Sequence, residues 1–133
     1  MAANFTLRVI TPDRIALDTT VDSIKVPALD GSMGILPRHA AMVAALDAGE
    51  VGFLSGGRDE SLFVSGGFAE VRGATVRIVA DAAERPSDID VERADRAAER
   101  AKERLRVSKG VDVVRANEAL RRALQRKLLA RKR

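Results

Sequence analysis

The 133-residue sequence predicts an α+β chain: an N-terminal antiparallel β-sandwich over residues 1–85, then a C-terminal antiparallel two-helix hairpin over residues 86–133. Three observations carry this. The texture changes, since nine of ten glycines and three of four prolines precede Ala83, whereas one glycine, Gly110, follows Pro86 among long stretches of Ala, Arg, Glu and Leu. The charge changes with it: residues 1–85 hold eight basic and eleven acidic side chains, residues 86–133 fifteen and eight. The hydrophobic period also shifts, from about two to about 3.6 residues. The junction falls near Glu84-Arg85-Pro86-Ser87.

In the first module Phe5, Leu7 and Val9 alternate with Thr6, Arg8 and Ile10 before the turn Thr11-Pro12-Asp13. Short apolar runs follow at Ile15-Ala16-Leu17, Ile24-Lys25-Val26, Met42-Val43-Ala44, Val51-Gly52-Phe53-Leu54 and Leu62-Phe63-Val64. Phe68-Ala69-Glu70-Val71 and Thr75-Val76-Arg77-Ile78-Val79 flank Arg72-Gly73-Ala74 and read as a hairpin. Turn signals at such short intervals favour an antiparallel sandwich or barrel.

In the second module Ser87 is the expected N-cap, with Asp90 three residues on in capping-box position. Val91, Ala94, Ala98, Ala101 and Leu105 are spaced as a narrow seam, Ser108-Lys109-Gly110 stops the helix, and Asp112 can cap the next. Val113, Ala116, Leu120, Ala123 and Leu124 continue the seam. An alanine seam allows close approach but buries little apolar area, which predicts a hairpin of low stability that can open or re-dock. Inside it Ile89-Asp90-Val91-Glu92-Arg93-Ala94 recurs 22 residues later as Val111-Asp112-Val113-Val114-Arg115-Ala116. Ala/Arg-rich helices match easily, and an acid near each N-terminus suits the helix dipole. The alternative reading is that arginines converge on an anion: Arg93 and Arg100 share a face, as do Arg115, Arg122 and Arg126, and guanidinium forks suit phosphate or carboxylate.

Composition excludes several function classes. With no cysteine and a single histidine, His39, thiolate sites, two-histidine metal motifs and cysteine nucleophiles are ruled out, and acid–base chemistry is hard to staff. Gly31-Ser32-Met33-Gly34 and Ser65-Gly66-Gly67 do not continue into a phosphate-binding loop. No catalytic or metal residue is assigned. No apolar run is long enough to cross a membrane, and the N-terminus does not read as a signal or transit segment. From Arg115 to Arg133 eight basic residues face one acid, Glu118. Such a run is most often a solvated face; with four aromatics, all Phe and none in the helices, an acidic protein surface suits it better than nucleic acid or a membrane.

The stretch Val26-Pro27-Ala28-Leu29-Asp30-Gly31-Ser32-Met33-Gly34-Ile35-Leu36-Pro37-Arg38-His39-Ala40 resembles the G-x-x-G-I-L-P-G-H-A segment of the epsilon subunits of F-type ATP synthases, and Ser65-Gly66-Gly67-Phe68-Ala69-Glu70-Val71 is similar to their S-G-G-F-x-E-V. The resemblance runs from about Phe5 to about Lys127. It implies a ten-stranded sandwich with two C-terminal helices, and a non-catalytic place in the central rotor stalk, bound to the gamma subunit and resting on the c-ring. It further implies helices that lie folded or extend into the catalytic alpha/beta head to block ATP hydrolysis, with Arg115, Arg121, Arg122 and Lys127 facing an acidic segment of the beta subunit. Some family members bind regulatory ATP through an I/L-D-x-x-R-A motif. Ile89-Asp90-Val91-Glu92-Arg93-Ala94 matches it, and the other nucleotide contacts align with Glu84, Arg100, Arg122 and Arg126. No cofactor is required. The implied location is peripheral, on the cytoplasmic face of a bacterial inner membrane.

Two departures fall in the ring-facing segment. Arg38 stands where the family usually has glycine, and Ser32 where an acid is often found, while His39 is retained for that interface. Two other readings remain open on the residues alone: a free-standing nucleotide-sensing module built on the arginines, and a basic RNA-associated protein using only the tail.

Overall fold

The computed structural model describes residues 4–107 and 111–131. The chain divides into two compact units, residues 1–84 and 85–133.

The first unit contains β1 (Phe5–Ile10), β2 (Ile15–Val21), β3 (Ser23–Ala28), β4 (Gly31–Ile35), β5 (Met42–Ser55), β6 (Arg58–Arg72), β7 (Thr75–Val79) and β8 (Ala83–Glu84). They hydrogen-bond in the order β2-β1-β7-β6-β5-β3-β4, with β8 beside β6. All pairings are antiparallel except β1 with β7, which is parallel. Eight strands stand where the resemblance implies ten, because two pairs of short runs fuse. Met42–Ala44 and Val51–Leu54 lie in β5, and Leu62–Val64 and Phe68–Val71 lie in β6.

Each long strand serves both layers of the sandwich. The start of β5 and the end of β6 continue into β7, β1 and β2, whereas the end of β5 carries β3 and β4 and the start of β6 carries β8. The β5–β6 hairpin closes through Gly56-Gly57, both with positive φ (57° and 79°), the two-residue turn whose twist matches that of the strands. Strand alternation sends Leu7, Val9, Val26, Ile35, Val51, Val64, Val76 and Ile78 into one core. No buried side-chain polar atom among the described residues lacks a hydrogen-bond partner.

Gly67 is where the close approach is tightest. Its φ is +117°, and a Cβ there would lie 1.9 Å from the Val79 carbonyl oxygen. Here β7 leaves β6, and the chain returns as β8 in continuing register, bridged by Ala82 N–H donating to Ser65 Oγ and Ser65 N–H to the Ala82 carbonyl.

The second unit contains a 3-10 turn at Pro86–Asp88, α1 (Val91–Val107) and α2 (Val111–Ala130). The expected cap moves. Ser87 sits within the 3-10 turn, and Asp90 takes the cap position, its Oδ1 accepting the Arg93 backbone N–H at 3.0 Å. The expected stop at Ser108-Lys109-Gly110 lies outside the described residues. Only three residues join the helices, so they pack antiparallel. In the seam Ala94, Ala98 and Ala101 of α1 and Ala116 and Ala123 of α2 are buried. Leu124 is the exception: one step past Ala123 it is rotated about 100° off the seam and is 44% exposed. The 22-residue repeat has a structural account, since it maps Ala94 onto Ala116 and Ala101 onto Ala123, the contacts of a near-symmetric pair.

Candidate functional site

Two surface features stand out, one in each unit. On the first, Ala45 pairs with Phe68, Phe68 with Val79, Val79 with Ile10, and Ile10 with Ile15. Cross-strand partners point to the same face, so these residues form one apolar row across β5, β6, β7, β1 and β2. The Leu29 backbone N–H donates to the Ala45 carbonyl at 3.2 Å, placing Leu29 beside the end of the row. The row faces outward: Leu29 is 64%, Ile15 58% and Phe68 40% exposed. The next row of the same face runs Val43, Glu70, Arg77, Arg8 and Asp18. Its charges neutralise one another, with Arg77 to Glu70 at 3.4 Å and Arg8 to Asp18 at 3.2 Å. An apolar band bordered by self-paired charges is suited to meeting another protein surface, because its rim needs no charge from the partner.

Sequence reasoning missed this row. Its signal was present in fragments: Ile10 is apolar in the outward set of β1, and Phe68 follows two glycines. No local pattern says that these fragments are neighbours.

On the second unit, Asp95 of α1 pairs with Lys127 of α2 at 2.8 Å. In an antiparallel pair this contact sets position 100 opposite 122, and 93 opposite 129, three residues from Arg126. Arg93 and Arg100 each precede a seam alanine by one position, as does Arg122, and Arg126 lies one turn after Arg122. A right-handed helix thereby rotates all four to the same side of the hairpin, with Asp95 and Lys127 on the other. Arg93 and Arg100 are exposed, and Arg122 and Arg126 partly so. The I-D-x-x-R-A motif itself is largely structural: Ile89 is buried, Asp90 caps the helix and Ala94 fills the seam, which leaves Arg93 as the outward group. Glu84 lies in β8 of the first unit, paired with Phe63.

The remaining assigned residues are dispersed. Of the four basic residues assigned to a beta-subunit contact, Arg115 and Arg122 share one flank of α2, Arg121 is on its outer side, and Lys127 is engaged by Asp95. Ser32 is exposed in β4, and Arg38 and His39 occupy the loop after it. There the His39 backbone N–H donates to the Leu36 carbonyl at 3.2 Å, closing a turn. Its Nδ1 lies 2.8 Å from the Ala40 carbonyl oxygen. Arg38 adopts φ +66°, and among the described residues it alone, apart from glycines, has positive φ. The departure from glycine thus falls at a position whose backbone suits glycine.

Among the described residues no cluster of metal-ligating side chains exists and no helix is long and apolar enough to cross a membrane.

Comparison with known proteins agrees with this architecture. Residues 4–86 match the family described as ATP synthase, delta/epsilon chain, beta-sandwich domain, and residues 87–126 match its long alpha-helix domain. The chain is 41% identical to an ATP synthase epsilon chain of Nitratidesulfovibrio vulgaris over 95% of both chains, and 48% identical to that of Halalkalibacterium halodurans over 90% and 92%. In a solved structure of the Euglena gracilis mitochondrial ATP synthase, covering OSCP, F1 and c-ring, one chain superposes with a TM-score of 0.82 at 26% identity, over 98% of this chain and 82% of that one. With both domains matched in order and near-complete coverage of bacterial relatives, the chain belongs to the delta/epsilon chain family of ATP synthases.

Proposed function

We propose that this chain is a non-catalytic subunit of the central stalk of an F-type ATP synthase, coupling the gamma subunit to the c-ring while the complex sits peripherally at the membrane. The observation that carries the coupling role is the apolar row from Leu29 to Ile15 on the sandwich, an outward band that fits a stably bound partner rather than solvent. Gamma is the assigned occupant. A surface of this kind concentrates binding energy in its aromatic centre, here Phe68. Binding of the full chain to purified gamma tests the assignment. Phe68→Ser should weaken it by at least tenfold while the sandwich still melts as a folded unit, since Phe68 is 40% exposed. Unchanged affinity would remove gamma from this face.

The second part of the proposal is regulation through the hairpin. Four arginines on one side of an alanine seam support a polyphosphate ligand, with ATP as regulatory ligand rather than cofactor. ATP bound to the closed hairpin would stabilise that state by mass action and hold the helices away from the catalytic head. Calorimetric titration of the full chain with ATP should give micromolar to millimolar binding that Arg93→Ala and Arg100→Ala each weaken about tenfold. An absence of heat would leave the hairpin governed without nucleotide.

A further inference from the structure

We infer that Arg14 is a positioning residue that ties the outward apolar row to β8, the strand that hands the chain to the second unit. A partner seated on the row thereby holds β8 in place. The inference rests on the assignment of gamma to that row and adds a regulatory contact to it. The row ends at Ile10 and Ile15, on either side of the turn between β1 and β2. That turn is tightly closed, since the Arg14 carbonyl accepts both the Thr11 backbone N–H at 2.9 Å and the Thr11 hydroxyl at 3.2 Å. It also holds the returning segment at two points. The Ile10 carbonyl accepts the Ala80 backbone N–H at 3.0 Å, and the Arg14 guanidinium donates to the carbonyl of buried Ala83 at 3.4 Å, across 69 positions of sequence. Backbone atoms of Arg14 close the turn and its side chain reaches Ala83, so mutation separates the two roles. The strand it reaches is short. Its two residues pair with β6, Ala83 with Val64 and Glu84 with Phe63, and the second unit begins at Arg85. So brief a ladder opens at small cost, which gives β8 two accessible states, paired and released. A partner covering Ile10 and Ile15 restrains the turn, the turn restrains Arg14, and Arg14 restrains Ala83. By mass action the partner then favours the paired state and fixes the point from which the hairpin departs.

The test is amide exchange read by mass spectrometry on the full chain, with and without purified gamma, for the native chain, Arg14→Met and Arg14→Lys. In the native chain gamma should slow exchange in the strands of the row and, about fivefold, in the peptide spanning residues 80–86. Arg14→Met keeps the apolar stem and removes the donor. It should hold gamma affinity within about twofold and keep the protection of the row, but lose that of residues 80–86. Arg14→Lys, which restores a cationic donor, should recover part of it. Equal gamma-dependent protection of residues 80–86 in Arg14→Met and the native chain would overturn the inference. So would a native chain in which gamma protects the row and leaves residues 80–86 unchanged, a result that keeps the gamma assignment. If gamma binds without protecting the row, that assignment itself fails and the inference falls with it.

Discussion

Replacing Gly67 with alanine should be among the most damaging single-methyl additions available to the sandwich. The new Cβ would sit 1.9 Å from the Val79 carbonyl oxygen and 3.0 Å from Ala80 Cα, both backbone atoms, so no side-chain rotation relieves the clash. Reaching ordinary contact requires that separation to widen to at least 3.4 Å. Val79 cannot simply withdraw, because β7 is hydrogen-bonded between β1 and β6, and the adjacent Ala80 N–H donates to the Ile10 carbonyl at 3.0 Å. A φ of +117° on alanine costs about 1–3 kcal/mol. Disrupting one or two ladder hydrogen bonds adds about 1 kcal/mol each. The sum, about 2–5 kcal/mol, is a large share of the roughly 5–15 kcal/mol that holds a domain folded. At about 4–8 °C per kcal/mol for a domain of this size, the sandwich transition in scanning calorimetry should fall by at least ~8 °C. Gly73→Ala is the control: its φ is +60° but a Cβ there meets nothing within 4 Å, so it should cost only about 1 kcal/mol. If Gly67→Ala melts within ~3 °C of the native chain, or no lower than Gly73→Ala, the close-approach reasoning is wrong.

Removing the α1 cap by Asp90→Ala should cost the hairpin about 1 kcal/mol, seen as roughly fivefold faster amide exchange along α1 with the sandwich amides unaffected. Ala98→Leu forces a large side chain into a seam where the native residue is 1% exposed, and should open the hairpin and lower its helical protection. Leu124→Lys, at a position the seam pattern also nominated, should change hairpin stability by no more than about 0.5 kcal/mol, because that side chain is already 44% exposed.

The division into a strand-rich and a helical unit, the alternation in β1, the Arg72–Ala74 hairpin and the alanine seam were legible because each rests on neighbours within a few residues. The misreadings were also local. Ser87 satisfied the capping pattern, but Pro86 nucleated a 3-10 turn instead and passed the cap to Asp90. Leu124 was admitted to the seam because leucine beside a seam alanine is apolar, whereas helix rotation puts it on the flank. Gly56-Gly57 was the available signal that the runs at 51–54 and 62–64 belong to one long hairpin. Among candidate site residues, Arg93 and Arg100 could be grouped by spacing alone, but their relation to Arg122 and Arg126 needed the register that Asp95 and Lys127 set.

By itself the sequence determined the order of its units, the face each helix buries and the net positive charge of the hairpin. These follow from backbone sterics, helical and strand periods and residue chemistry, all of which act over short stretches of chain. Only the tertiary structure decided that Leu29, Ala45, Phe68, Val79, Ile10 and Ile15 form one band. They are scattered over more than half the chain, and the parallel β1–β7 pairing that joins them has no local signature, since strand adjacency is fixed by which apolar faces can share a core.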